Sequence, residues 1–135
     1  MELSSPSDRR ATLGGKRLLI VEDEILVSML VQDELRDTGA EVVGPAASVG
    51  DAMQLVEAAM ADGGLSAAVL DINLNGEHVG PVADTLAALG VPFVFATGYG
   101  EGCDTGGHAD APVLRKPFSV HALIDAVEAL ASARK

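Results

Sequence analysis

Short apolar runs alternate with stretches of helical periodicity along almost the whole chain, and this alternation limits its possible folds more than any other feature. Leu18 to Val21 is a continuous apolar run, as expected of a strand buried on both faces. Leu26, Val27, Leu30, Val31 and Leu35 then recur at helical spacing until Gly39. Glu41 to Ala46 is a second strand, and Ser48 is the N-cap of a helix carrying Met53, Leu55, Val56, Ala59 and Met60. Ala67 to Leu70 is the third strand, followed by a helix with Pro81 in its first turn and Gly90 at its end. Val91 to Ala96 and Val113-Leu114 are the fourth and fifth strands, and Ser119 caps a last helix that runs to about Ala131. Strict alternation of this kind predicts an α/β fold, a doubly wound five-stranded parallel sheet with helices on both faces. Between Thr97 and Pro112 stand Gly98, Gly100, Gly102, Gly106 and Gly107, so the fourth helix is expected to be weak or mobile.

The 135 residues suit one domain, expected to span 16–135 behind a flexible lead-in at 1–15 rich in Ser and Gly. Twenty Asp and Glu against nine Lys and Arg give a net charge of −11. Such an acidic surface repels phosphate backbones and anionic headgroups, which argues against nucleic acid and membrane partners. No apolar run is long enough to span a bilayer and the first residues lack a signal-peptide core, so the expected location is the cytoplasm. A lone cysteine, Cys103, agrees with a reducing compartment.

In an open α/β sheet, ligands bind beyond the carboxyl ends of the strands. The first strand is followed there by Glu22-Asp23-Glu24, the third ends in Asp71, the fourth in Thr97, and the fifth runs into Lys116-Pro117. Carboxylates gathered at one edge call for a hard divalent cation, and Mg²⁺ suits a site of one or two carboxylates and a backbone carbonyl such as that of Asn73. An aspartate can also attack a phosphoryl group and form an acyl phosphate. Asp71, at the end of an apolar run, suits that role, and Asp23, in an acidic cluster, suits metal holding. Lys116 and Thr97 complete the set that phosphoryl transfer needs, an ammonium and a hydroxyl facing the incoming oxygens.

In this order, an acidic pair, Asp71, Thr97 and Lys116-Pro117, the chain resembles the receiver domain of bacterial two-component response regulators from about Lys16 to Arg134. The resemblance implies a flavodoxin-like (βα)₅ fold, with Glu22 and Asp23 as Mg²⁺ acids, Asp71 as phosphoacceptor and further metal ligand, and Asn73 giving its carbonyl. It further implies Thr97 and Lys116 as the pair contacting the phosphoryl group, and a cis bond at Lys116-Pro117. The stretch Pro92 to Tyr99 resembles the signature of the FATGUY group, often single-domain receivers of alphaproteobacteria, whose phosphate comes from histidine kinases of the HWE and related classes. Receivers usually carry an aromatic residue where this chain has Val113, and Tyr99 is a candidate to take over part of its role.

The resulting expectation is a stand-alone phosphoacceptor that turns over no metabolite. It would receive phosphate from a sensor histidine kinase through its first helix, Leu26 to Leu35. It would then signal to a downstream protein, or compete with another receiver as a phosphate sink, with Gly98 to Ala111 as a segment that orders on phosphorylation. Two alternatives remain. One is a receiver-like module that binds partners without phosphate. The other is a phosphatase of the haloacid dehalogenase type, disfavoured because Asn73 stands where a second aspartate would act as general acid.

Overall fold

The computed structural model describes residues 12–98 and 105–133. The strands are β1 (Arg17–Val21), β2 (Glu41–Ala46), β3 (Ala67–Asp71), β4 (Asn73–Leu74), β5 (Glu77–His78), β6 (Phe93–Thr97) and β7 (Val113–Arg115). The helices are α1 (Ile25–Asp37), α2 (Val49–Ala61), α3 (Gly80–Ala88) and α4 (Val120–Ala133). Five strands form one sheet in the order β2-β1-β3-β6-β7, and every pairing in it is parallel. This is the doubly wound, flavodoxin-like sheet expected from the alternation.

Side chains alternate across each strand, so the sheet divides the core into two layers. Leu19, Val21, Ala68, Leu70, Phe93 and Phe95 face one way and pack with Val56 of α2 and Val82 and Leu86 of α3. Leu18, Ile20, Val69 and Val94 face the other way and pack with Val31 and Leu35 of α1 and Leu123 and Val127 of α4. Each fully buried aliphatic side chain contributes about 1.5–3 kcal/mol relative to exposure. The expected caps are present. Asp51 N–H donates to Ser48 Oγ at 3.1 Å, Ala122 N–H to Ser119 Oγ at 3.0 Å, and Pro81 sits in the first turn of α3.

Three features differ from the sequence expectations. The lead-in does not extend to residue 15, because Leu13 is fully buried with the α1 and α4 layer and its N–H donates to Thr38 O at 2.9 Å. The apolar stripe of α1 is wider than its buried face: Ser28, Val31 and Leu35 are buried, whereas Leu26 is 81% exposed, with Ile25, Met29 and Leu30 beside it at the surface. A small antiparallel hairpin, β4 and β5, also follows β3 directly. Among the described residues of the β6–β7 connection, 98 and 105–112, there is no helix.

On β2, the pairing register with β1 shifts between Leu19 and Val21. Gly44 makes this possible. Its φ is 109°, and a Cβ there would lie 2.8 Å from Ile20 O. Both Gly44-Pro45 and Lys116-Pro117 are cis.

Candidate functional site

The strand order sets the residues of the site in a row. Glu22 follows β1, Asp71 ends the central β3, Thr97 ends β6, and Lys116 follows β7. Neighbouring strands lie about 4.8 Å apart, so the long lysine side chain has to reach across β6 to meet the acids. It does so. Lys116 Nζ lies 2.9 Å from Glu22 Oε1, 2.8 Å from Glu24 Oε1 and 3.2 Å from Asp71 Oδ2, one carboxylate for each of its three protons. Its own N–H donates to Thr97 O at 2.8 Å, which ties the end of β7 to the end of β6.

Glu22, Asp23 and Asp71 place carboxylate oxygens within 4.8 Å of one another, a group that could hold a metal ion. Glu22 and Asp71 are buried and Asp23 is half-buried. Hard oxygen donors in this number suit Mg²⁺ or Ca²⁺ better than a softer metal. Burial, and then the hydrogen bond and charge of Glu22, push the Asp71 carboxyl from 3.8 up to about 7, against the pull of Lys116. Burial draws the Lys116 ammonium down, but the hydrogen bonds it donates to Glu24 and Glu22, with the charges of Glu22 and Asp71, outweigh it and hold the group above its ordinary value. The four side chains therefore balance as one charge system.

The hairpin frames the other side of the cleft, whose volume is about 390 Å³. Asn73 N–H donates to Asp71 Oδ1 at 3.2 Å, Gly76 N–H to Asn73 Oδ1 at 2.6 Å, and Asn75 N–H to Asp23 Oδ2 at 2.9 Å. Asn75 and Gly76 have φ of 54° and 89°, the left-handed pair of a two-residue type I′ turn.

Asp23, Asp71, Asn73 and Lys116 thus line one cleft, with Glu22 buried behind Lys116. Thr97 stands at the same edge with no exposed surface. Sequence reasoning named Glu24 without a role and missed the hairpin, although Asn75-Gly76 is the strongest short-range hairpin signal a sequence carries. Val113 is partly buried against the core and pairs with Phe95. Tyr99 and Cys103 lie outside the described residues, as does 99–104 of the segment expected to order.

No family model matches the chain. It is similar to the solution structure of SdrG from Sphingomonas melonis Fr1, at 43% identity over 85% of this chain and 95% of that one, with a TM-score of 0.74. A response regulator receiver protein from Sinorhizobium medicae shares the fold at a TM-score of 0.76 and 24% identity, over 89% of this chain and 97% of that one. The response regulator PhyR from Brucella abortus matches 98% of this chain and 52% of its own length, at 28% identity and a TM-score of 0.69. The transcriptional regulatory protein PdtaR from Mycobacterium tuberculosis is 31% identical over 120 residues, 84% of this chain and 55% of that protein. The chain spans about half the length of the curated relatives it matches. Among the described residues, no helix is long and apolar enough to cross a membrane.

Proposed function

The chain belongs to the receiver domains of response regulators, and from that premise we propose that Asp71 accepts a phosphoryl group from a sensor histidine kinase in a Mg²⁺-dependent reaction. The observation that carries this reading is the convergence of Lys116 Nζ on Asp71 and Glu22 beside the Glu22, Asp23 and Asp71 oxygens. Asn73 N–H holds Asp71 Oδ1, which leaves Oδ2, on the Lys116 side, as the attacking oxygen. As the O–P bond forms, the P–N bond of the donor phosphohistidine breaks and its electrons leave with the imidazole. Glu22, Asp23, Asp71 and the Asn73 carbonyl would hold Mg²⁺, which when bound neutralises charge on the acids and the phosphoryl oxygens. Lys116 balances the charge that remains, and the Thr97 hydroxyl is the group that would turn toward the phosphoryl oxygens.

The kinase, of the HWE class in this reading, docks on the exposed start of α1, where Ile25, Leu26, Met29 and Leu30 adjoin the acids. The signal leaves through a downstream protein, or phosphate drains from a competing receiver, in the cytoplasm. The run Pro92 to Tyr99 supports membership of the FATGUY group. The domain turns over no metabolite; it catalyses only its own gain and loss of phosphate.

Intact-mass spectrometry with acetyl phosphate tests the chemistry. The expected result is one phosphoryl adduct that needs both Mg²⁺ and Asp71, absent from Asp71→Ala. If neither acetyl phosphate nor a histidine kinase produces an adduct while Mg²⁺ still binds, the domain is a binding module and the phosphoacceptor role is wrong.

A further inference from the structure

Lys116 has three carboxylate partners, and only two of them belong to the set that would hold a metal. The third, Glu24, makes the shortest contact, at 2.8 Å. Nothing else in the described structure explains where its carboxylate points. Glu24 occupies the N-cap position of α1, yet its side chain makes no capping hydrogen bond, and it is 61% exposed at the rim of the cleft. Its backbone is fixed, because Glu24 N–H donates to Glu22 Oε2 at 3.0 Å. The helix therefore gains little from this acid, and the lysine gains a partner.

A cation bound by Glu22, Asp23 and Asp71 would compete with Lys116 for oxygens of Glu22 and Asp71. When those oxygens turn to a cation, Glu24 is the partner still able to keep the ammonium at the rim. A phosphoryl group arriving on Asp71 must then draw the ammonium away from Glu24. We infer that Glu24 is a positioning residue that holds Lys116 at the mouth of the cleft and competes with the incoming phosphoryl group for its ammonium, so that it slows phosphoryl gain. This deepens the phosphoacceptor reading and rests on it. An ion pair this exposed is worth little, so its loss should change the rate by about threefold rather than by orders of magnitude.

The test is Glu24→Gln, which keeps the shape and removes the charge at an exposed position. Rates of adduct formation are measured by intact mass with Mg²⁺ and two donors of different charge, acetyl phosphate and phosphoramidate, in low and high salt. The expected result is a gain of about threefold that is the same for both donors and shrinks in high salt, because an ion pair this exposed is itself screened. NMR relaxation of the labelled Lys116 ε-carbon should show a looser side chain in the metal-bound variant. An unchanged or slower rate, an unchanged lysine, or a gain that grows with the charge of the donor, as simple repulsion of the donor at the rim would give, overturns the inference. A wild-type chain that takes no phosphoryl group from either donor or from a kinase overturns the phosphoacceptor reading as well, so the two failures are distinct.

Discussion

Two glycine-bearing connections leave the same edge of the sheet side by side, one after Asp71 and one after Thr97, and they are held in different ways. The first, 72–79, is tied through backbone amides. Asn75 N–H reaches Asp23, Gly76 N–H reaches Asn73, and Val79 N–H closes the loop on Ile72 O at 3.0 Å. Glu77 fastens its far side by accepting from Val49 N–H at the start of α2. In the second, the described residues 105–112 form two tight turns, His108 N–H to Thr105 O and Ala111 N–H to His108 O, both at 3.0 Å. Ala111 packs against the core, Pro112 O accepts from Phe95 N–H at 2.9 Å, and the His108 side chain adds an aromatic anchor. The His108 ring stands edge-on to Phe93 with centroids 5.2 Å apart, lies 6.5 Å from Phe95, and brings Nε2 to 2.7 Å from Asp84 Oδ1 on α3. Backbone amides bonded to Asp23 and Asn73 fix the loop that carries chemistry, whereas the described part of the other loop makes its side-chain contacts with the core through His108 and Ala111.

The largest expected effect lies at the root of the first connection. Without metal, Asp71 keeps its proton up to about pH 7. The carboxyl binds that proton more tightly folded than unfolded, so its share of stability is complete below pH 3.8 and is lost as pH rises through 7. A cation must displace the same proton, so Mg²⁺ affinity should rise roughly tenfold per pH unit up to about 7 and then level off. Titration followed by NMR or calorimetry between pH 5 and 8 checks the slope, on the order of a hundredfold in all. Asp71→Asn should flatten both the affinity profile and the fall in metal-free stability.

Next in size is Gly76→Val. A β-branched residue at a φ of 89° costs about 1–2 kcal/mol. The strained turn also loosens Asn75 N–H from Asp23, so Mg²⁺ binding should weaken together with stability in urea unfolding. Equal stability, or metal affinity left intact, would mean that the turn does not position Asp23.

The sheet, its caps and the row of Glu22, Asp71, Thr97 and Lys116 were legible in the sequence because strand ends and helix caps are local signals. Ser48, Ser119, Pro81 and the all-buried run at Ala67 each announce themselves within a few residues. Features that depend on partners distant in sequence were harder to see. Nothing near Leu13 says that a groove beside Thr38 will bury it, and nothing in α1 separates Leu26, which is exposed, from Leu35, which is not. Glu24 meets Lys116 across 92 residues. His108 carries no local signal of its role, because Asp84 and Phe93 become its neighbours only once α3 and β6 lie beside the crossover. The hairpin is a different case, since its Asn-Gly signal was present and local.

The smallest effects belong to the second connection. His108→Ala removes an edge-on aromatic pair, worth about 0.5–1.5 kcal/mol, and the contact with Asp84. Stability should fall by about 1 kcal/mol, with Mg²⁺ affinity unchanged because none of the contacts of His108 reaches the acids. Asp84→Asn should cost less, within about 0.5 kcal/mol, since that side chain is 74% exposed and an asparagine oxygen can still accept from Nε2. Thermal unfolding of the two variants separates the terms, because a ring held mainly by stacking loses more in His108→Ala than in Asp84→Asn. If Asp84→Asn proves the costlier, the ion pair is the anchor and the two connections are both held by polar bonds. If instead His108→Ala weakens Mg²⁺ binding, the two loops are coupled through Phe95 and Thr97 on β6, and they do not act independently.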